Sequence, residues 1–332
     1  MGFWIKIALD ILMKKSGIKI SAILVAYNSH KCINKCILSI QKAAEYANIF
    51  METIVVINDK SKRGYKFPSD VKVISNKKNY GYAKGINIGA EQAKGEWLLI
   101  ANPDTITDKK ALYYLLKNNH DRKIAIIGPK IYLSDGSIQF TINKFPSLYT
   151  VLLEQSYLYK ITPFKYLLPK ANLINYSFSH HVEALEGTYF LIRKKYFEEI
   201  NNMDERFYMY FEDMDLCKRI NDNGNKILFE SKAKINHSKS VSSGGTILAE
   251  EYVKSFRKYF LKYYSQFYTK ICLYLLFLGS FYRKYYWLIY ERFSKDKVLR
   301  FKSGKMREYY QQMIKDCLKY ILFIRMLTPQ FR

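Results

Sequence analysis

Acidic residues, cysteine and long apolar runs are all scarce in this chain, and each shortage narrows what it can be. Asp and Glu number 29 against 54 Lys and Arg, a formal net charge of +25. Such an imbalance draws a protein toward anionic partners: phosphorylated substrates, nucleic acid or an acidic lipid surface. The five cysteines are few, odd in number and mostly inside apparent helices, which excludes a disulfide framework and suits a reducing compartment. Cys32 and Cys36 lie one helical turn apart, but no further Cys or His follows at ligand spacing, so they read as two half-buried thiols. No stretch reaches the roughly 18 uncharged apolar residues a membrane span needs. The nearest approach, Ile271 to Tyr282, is bounded by Lys270 and Arg283. At the N-terminus Lys6 and Asp10 interrupt the apolar stretch and no small-residue cleavage site follows, so no signal peptide is expected. A short amphipathic anchor helix over residues 1–17, with Trp4 as an interfacial residue, stays open.

What is present fills a large α/β domain. The chain has 332 residues, 49% hydrophobic and 16% aromatic, with 30 Tyr. Apolar runs at Ile18 to Tyr27, Thr53 to Ile57, Val71 to Ser75, Trp97 to Ala101 and Ile124 to Ile127 read as strands. Helical patterns alternate with them at Lys31 to Tyr46, Gly81 to Ala93 and Lys109 to Lys117. That alternation predicts an α/β layered fold with a mostly parallel central sheet. Phe140 to His181 has no clean period and reads as an irregular, partly helical insert. Then come a strand over Glu186 to Arg193, an aromatic run Phe207 to Phe211, and a helix from Glu212 stopped by Asn223-Gly224. Two short strands around Ile227 and Ala233 lead to His237. Composition shifts near Gly244-Gly245 into Tyr-rich, Lys/Arg-rich helices, so residues 18–245 are expected to form a catalytic domain and 246–332 a helical appendage.

Four places could carry chemistry. Asn102-Pro103-Asp104 follows a buried strand directly, where a carboxylate faces the ligand crevice of an open sheet. Its oxygens suit Mg²⁺ or Mn²⁺, although Asn-Pro-Asp is also an ordinary turn. Glu212, Asp213 and Asp215 open a helix, where the macrodipole alone accounts for one or two acids. Aromatic neighbours would cut the hydration of Asp213 and tune it as a base, with Arg219 pairing one turn after Asp215. His237 ends a strand in an Asn-His-Ser context, either as a ligand or as a structural imidazole. In Asn79-x-Gly81-Tyr82-Ala83-x-Gly85-x-Asn87-x-Gly89, glycines open a helix whose N-terminus favours phosphate. This segment is neither a Walker A loop nor a dinucleotide fingerprint.

In this order the pieces resemble the family-2 glycosyltransferases, particularly their rhamnosyltransferase-like branch. The matching elements are Ala26-Tyr27-Asn28, Asn58-Asp59-Lys60-Ser61, Asn79 to Gly89, Asn102-Pro103-Asp104, Gly187-Thr188-Tyr189-Phe190, Asp204-Glu205-Arg206-Phe207, Glu212 to Arg219, and His237. The resemblance implies a GT-A fold and an inverting displacement that moves a sugar, such as rhamnose or another hexose, from a nucleotide-diphosphate donor. It implies Asp213 as general base, with Asp104 and His237 holding Mg²⁺ or Mn²⁺ beside the donor diphosphate. Tyr27, Asn28, Asn58, Asp59, Asn79, Gly81, Asn87 and Asn102 would surround the donor, and Glu186, Gly187 and Glu212 would shape the acceptor side. The family usually reads Asp-Asn where this chain has Asn58-Asp59, and the amide there carries no charge. The acceptor would be lipid-linked or a growing polysaccharide of the cell envelope. The enzyme would then work peripherally on the cytoplasmic face of an anionic membrane, its C-terminal helices lying on lipid or joining a second copy. A nucleic-acid-binding protein or a non-catalytic partner on a degenerate transferase fold is the alternative. Cations concentrated in the last quarter of the chain speak against nucleic acid, and the retained Asp104, Asp213 and His237 against loss of catalysis.

Overall fold

A computed structural model describes residues 19–59, 64–117, 120–156, 176–238 and 249–323. The possible anchor helix, the Gly244-Gly245 composition shift and much of the irregular insert lie outside these residues. The described chain forms two compact units. One takes residues 19–144, 176–208 and 212–238, and the other 145–156, 209–211 and 249–323.

The first unit is built on β1 (Lys19–Ala26), α1 (Ile33–Ala47), β2 (Phe50–Ile57), β3 (Val71–Ser75), α2 (Tyr82–Glu91), β4 (Trp97–Ala101), β5 (Thr105–Thr107) and α3 (Ala111–Leu116). β6 (Ile124–Leu133), β7 (Ile138–Gln139) and β8 (Ile142–Asn143) follow, the last ahead of the second unit's α4 (Leu148–Gln155). β9 (His180–Val182), β10 (Ala184–Leu185), β11 (Tyr189–Arg193), α5 (Lys194–Glu199), α6 (Glu212–Asp222) and β12 (Lys226–His237) complete it. The main sheet runs β3-β2-β1-β4-β11-β6-β12-β5, with β7 on β6 and β9 on β12. β3, β2, β1 and β4 are parallel, whereas β11 runs antiparallel between β4 and β6. Central strands are apolar on both faces because layers cover both sides: Trp97, Leu98, Leu99, Ile100 and Ala101 are all buried.

The predicted strands and helices recur within a few residues, with three informative differences. β5, β7, β8, β9 and β10, of two or three residues each, are additional strands, too short to leave a period. The two strands expected around Ile227 and Ala233 are one 12-residue strand, β12. Its pairing with β6 shifts between Glu230 and Lys234, opposite Pro129 and Lys130, where proline offers no N–H to the ladder. The glycines of the Asn79 to Gly89 segment serve packing: a Cβ at Gly85 would meet Val25 Cγ1 at 2.9 Å, and one at Gly89 would meet Ile23 Cγ2 at 2.5 Å. α2 therefore lies tight on the sheet.

The second unit packs α4, α7 (Ala249–Tyr263), α8 (Gln266–Phe293) and α9 (Lys297–Phe323). Ser147 and Thr150 form a capping box at α4, and the Ser265 side chain caps α8 by accepting from the Tyr268 N–H. Arg283 on α8 donates to the Glu154 carbonyl at 2.6 Å and also bonds Gln155 Oε1. No helix of the described residues is long and apolar enough to cross a membrane.

α6 is held by an internal ion pair, as its spacing predicts. Arg219 Nε donates to the fully buried Asp215 at 2.8 Å. Its Nη1 also donates to the carbonyls of Ile200 and Asn202, at 2.5 and 2.7 Å, tying α6 to the left-handed turn Asn201-Asn202 that ends α5. Replacing Arg219 by Leu removes the ion pair of a buried carboxylate and the donor to two carbonyls. We expect Arg219→Leu to lose about 3–5 kcal/mol of unfolding free energy in urea titrations, and a loss below about 1 kcal/mol would show the pair to be dispensable.

Candidate active site

Three chain segments meet at one end of the sheet in the first unit. The Asn102-Pro103-Asp104 turn leaves β4 with its first N–H donated to the Thr188 carbonyl at 2.9 Å. The Asn102 carbonyl accepts from Thr105 N–H at 3.2 Å and Thr105 Oγ1 at 2.7 Å, closing the turn. β5 then pairs antiparallel with β12, placing His237 opposite Thr105. As a result His237 Nε2 lies 3.1 Å from Asp104 Oδ1, across a sequence separation of 133. Both side chains are buried. Cys36, fully buried beneath the turn, has its thiol pushed up to about 12 by burial, so it is an inert packing group.

The other imidazole nitrogen, Nδ1, is 2.7 Å from Gln139 Oε1. Gln139 Nε2 in turn donates to Glu186 Oε2 at 2.8 Å and to Thr188 Oγ1 at 3.2 Å. An amide oxygen only accepts, so Nδ1 carries a hydrogen and a neutral His237 directs its Nε2 lone pair at Asp104. Two acceptors at 3.1 Å repel unless a cation lies between or beside them. A proton on Nε2 satisfies that condition, and so does a divalent metal, for which carboxylate and imidazole are suitable donors. Among the described residues no three His, Cys, Asp or Glu side chains gather as a metal site. Any ion here would complete its shell with substrate oxygens or water, as Mg²⁺ commonly does.

Next along the same end stand Glu186, Gly187 and the start of α6. The Gly187 N–H donates to Asp213 Oδ2 at 2.7 Å, and Tyr82 OH donates to the Gly187 carbonyl at 3.1 Å. A Cβ on residue 187 would approach the Asp213 Cβ to 3.2 Å, so a small residue is needed here. Glu212 is 7% exposed with Oε2 unpartnered, whereas Asp213 retains partly exposed surface. Burial first, then the charge of Asp213, pushes Glu212 up to about 8. Burial pushes Asp213 up to about 6, with the Gly187 N–H opposing and the Glu186 charge adding. The two titrate as a pair. Phe211, expected as a wall beside Asp213, stacks with Tyr252, Phe256 and Tyr259 of its own helical unit. Tyr82 is the ring that lies near both acids, and their charges and burial raise its phenol strongly.

The remaining donor-side residues divide by what their side chains are bonded to. Asp59 accepts the Asn28 N–H at 3.0 Å and the Tyr65 hydroxyl, and Tyr27 is 42% exposed. Asn58 is buried, its amide donating to the Gly81 carbonyl at 2.9 Å and accepting from Asn76 at 2.6 Å. Asn79 accepts the Gly81 N–H at 2.9 Å. Gly81 has φ +90°, and a Cβ there would strike the Tyr208 carbonyl oxygen at 2.4 Å. Asn87 is spent on the backbone of Met203, donating to its carbonyl at 2.9 Å and accepting its N–H at 3.0 Å. Asn58 and Asn87 thus brace the loops of the crevice from below. Gln139, Thr188 and Tyr82 enter the site without having been singled out as site residues; Tyr82 and Thr188 had a sequence signal, as the aromatic position of the glycine segment and the small position after Gly187, and Gln139 had none.

The family signature described as glycosyl transferase family 2 matches residues 21–200, more than half the chain. The chain belongs to glycosyl transferase family 2. Its similar proteins include the low-salt glycan biosynthesis hexosyltransferase Agl10 of Haloferax volcanii, 27% identical over 206 residues, 60% of this chain and 61% of that one. They also include the N-acetylglucosaminyl-diphospho-decaprenol L-rhamnosyltransferase of Mycobacterium tuberculosis, 25% identical over 195 residues, 54% of this chain and 62% of that one. The match spans about three-fifths of the length of these curated relatives. Among solved structures, GalNAc-T7 with UDP, GalNAc and Mn²⁺ superposes with a TM-score of 0.53 at 16% identity, covering 93% of this chain and 57% of that one. This family-2 glycosyltransferase has the GT-A fold that its motif order implied, and rhamnosyltransferases are among its relatives.

The raised acids Glu212 and Asp213 make stability depend on pH with a definite sign. A carboxyl whose folded pKa exceeds its unfolded value holds a proton that the unfolded chain has released. The stability gained that way is present at low pH and is lost as pH rises through the folded pKa, here up to about 8. Glu212→Gln removes the larger share. Urea stability measured from about pH 5 to 8 is expected to fall less steeply for Glu212→Gln than for the parent, and an equal or steeper fall would contradict the burial of this charge.

Proposed function

We propose that this protein transfers a hexose, rhamnose or a close analogue, from a nucleoside-diphosphate donor to a lipid-linked or polysaccharide acceptor with inversion. The observation that carries the proposal is the facing pair Asp104 and His237, with a partly exposed, raised carboxyl, Asp213, reached through Gln139, Glu186 and Gly187. Asp104 and His237 would hold Mg²⁺ or Mn²⁺, whose charge offsets that of the leaving diphosphate when bound.

Asp213 accepts the proton of the acceptor hydroxyl as that oxygen forms a bond to the anomeric carbon. The bond from that carbon to the diphosphate oxygen breaks on the opposite face, and the nucleoside diphosphate leaves with the electron pair. A carboxyl pushed upward is a stronger base than an ordinary surface aspartate, and the Gly187 and Met214 N–H groups, on Oδ2 at 2.7 Å and Oδ1 at 2.8 Å, fix the direction in which both oxygens face. Tyr82 fixes the Gly187 carbonyl from the other side. Asp59, Asn28 and Tyr27 bound the base and ribose end, and Asn79 with Gly81 the diphosphate end. Asn102 holds the turn below the sugar, while Glu186, Gly187 and Glu212 define the acceptor side. The lipid-diphosphate name of the mycobacterial relative supports a lipid-linked acceptor. We expect Asp213→Asn to lower turnover by about 10²–10⁴-fold, read as nucleoside diphosphate released from a panel of dTDP-, UDP- and GDP-sugars. Donor-induced thermal stabilisation should stay near that of the parent. Parent-like turnover in Asp213→Asn would overturn the assigned base.

We infer further that α8 of the appendage rests on an anionic membrane surface. Its exposed residues Tyr274, Leu278, Phe281, Tyr285, Ile289 and Phe293 recur every three or four positions and share one face. The opposite face, with Cys272, Leu273, Leu276 and Gly279, is buried within the helical unit. A 28-residue helix with an aromatic stripe, flanked by Lys270 and Lys284 in a chain of net charge +25, matches the chemistry of a lipid interface. Sedimentation with phosphatidylglycerol vesicles is expected to capture the parent at low salt, phosphatidylcholine vesicles far less, and Leu278→Glu/Ile289→Glu least of all. Parent-like capture of that double variant, or dissociation of a parent dimer by it, would assign the stripe elsewhere.

A further inference from the structure

We propose that Gln139 is the positioning residue that presets His237 to offer its Nε2 lone pair to a divalent cation beside Asp104. The inference rests on the cation-site reading of Asp104 and His237 and goes beyond it by naming what sets the imidazole. Gln139 is 3% exposed and occupies β7, paired antiparallel to β6 with Ile131 opposite it. Strand β12 lies on the other side of β6 by parallel pairing, with His237 opposite Leu133. Two strands flanking β6 thus deliver the amide to the imidazole.

The orientation of the amide is dictated by its other neighbours. The atom 2.8 Å from Glu186 Oε2 must be the NH₂ group, because an ionised carboxylate only accepts. Thr188 Oγ1, at 3.2 Å, takes a second hydrogen of the same group. Gln139 Oε1 is then forced toward His237 Nδ1, at 2.7 Å, and holds the hydrogen there. Nε2 is left to face Asp104 Oδ1, 3.1 Å away, across whatever positive charge the pair holds. A histidine ligand is normally set in this way by an acceptor on its far nitrogen, and loss of such a partner weakens metal binding about 10–100-fold. The same amide anchors Glu186, whose charge acts on Asp213, so one buried side chain ties the cation side of the site to its base side.

The test uses the full chain and two readouts that do not depend on turnover. Long-range ¹H–¹⁵N NMR of the metal-free protein reports the His237 tautomer, and electron paramagnetic resonance titration of Mn²⁺ alone reports cation affinity. We expect the metal-free parent to hold a hydrogen on Nδ1, and Mn²⁺ to leave Nε2 without one. Gln139→Leu should shift His237 toward Nε2–H and weaken Mn²⁺ binding about 10–100-fold. Gln139→Glu combined with Glu186→Gln keeps an acceptor toward Nδ1 and gives the second oxygen a donor at residue 186, so this variant should retain the parent tautomer with Mn²⁺ affinity close to the parent's; it also tests the idea should the leucine variant fail to fold. Gln139→Leu with unchanged tautomer and Mn²⁺ affinity overturns the proposal, as does equal loss in both variants. A parent protein that takes up no Mn²⁺ overturns the cation-site reading itself, which the tautomer measurement separates from a failure of Gln139.

Discussion

The short antiparallel pairing of β5 with β12 is the constraint on which the site depends. Thr105 opposite His237 is one step from Asp104, so the register of three residues decides whether carboxylate and imidazole meet. A slip by one residue would turn His237 to the other face of the sheet. The register is pinned from several sides. Asn102 donates to the Thr188 carbonyl, Ser238 donates to the Asp104 carbonyl at 3.1 Å, and Asp108 donates to the Lys234 carbonyl at 3.1 Å. None of these bonds depends on the identity of a catalytic side chain. The scaffold therefore fixes the geometry before any ligand arrives, which is what electrostatic catalysis requires.

In a chain rich in cations, this end of the sheet nevertheless gathers acids. Glu212 and Asp213 are crowded together with Glu186 and Tyr82 near, and protons are retained as a result. The start of α6 offsets part of the cost through its free N–H groups and dipole. Asp215, one residue beyond Met214, is treated oppositely: it is fully buried but bonded to Arg219. One helix turn thus contains an acid paired with a cation and two acids raised by burial. Stability is conceded at Glu212 and Asp213 and recovered at Asp215, a division expected where function and folding share a helix.

Much of this was legible in the primary chain because it repeats with a period or follows a stop. β4 is a continuous apolar run, β1 nearly so after Lys19, and α6 begins with acids and ends before Gly224 at φ +78°. Asp104, Asp213 and His237 were readable as an ordered set at element ends. β5 and β7, of three and two residues, carry no periodic signal, and the bonds that recruit Gln139 are long-range. The division of β12 into two expected strands follows from its irregular stretch, Ser231 to Ala233, where the pairing with β6 is interrupted. The glycines of the α2 segment resemble a phosphate cradle in sequence, yet two of them face Ile23 and Val25, because close helix–sheet packing and close ligand approach demand the same residue.

The reversed order Asn58-Asp59 has a physical account in the same loop. Residue 58 must supply a hydrogen to the Gly81 carbonyl, 2.9 Å away, while accepting one from Asn76. An amide does both, whereas an ionised carboxylate would set an oxygen against that carbonyl with no hydrogen between. Gly81 cannot move away, since its positive φ and its approach to the Tyr208 carbonyl leave no room. The carboxylate one residue later faces N–H and O–H donors from Asn28 and Tyr65, which suit it. With Asn58 closing the floor of the loop, the acid nearest the donor side is Asp59. Its charge is already shared between a backbone amide and a phenol, so on the donor reading proposed above discrimination between nucleotide bases would fall to the shape of the loop around Tyr27 and Asn28 more than to a free carboxylate.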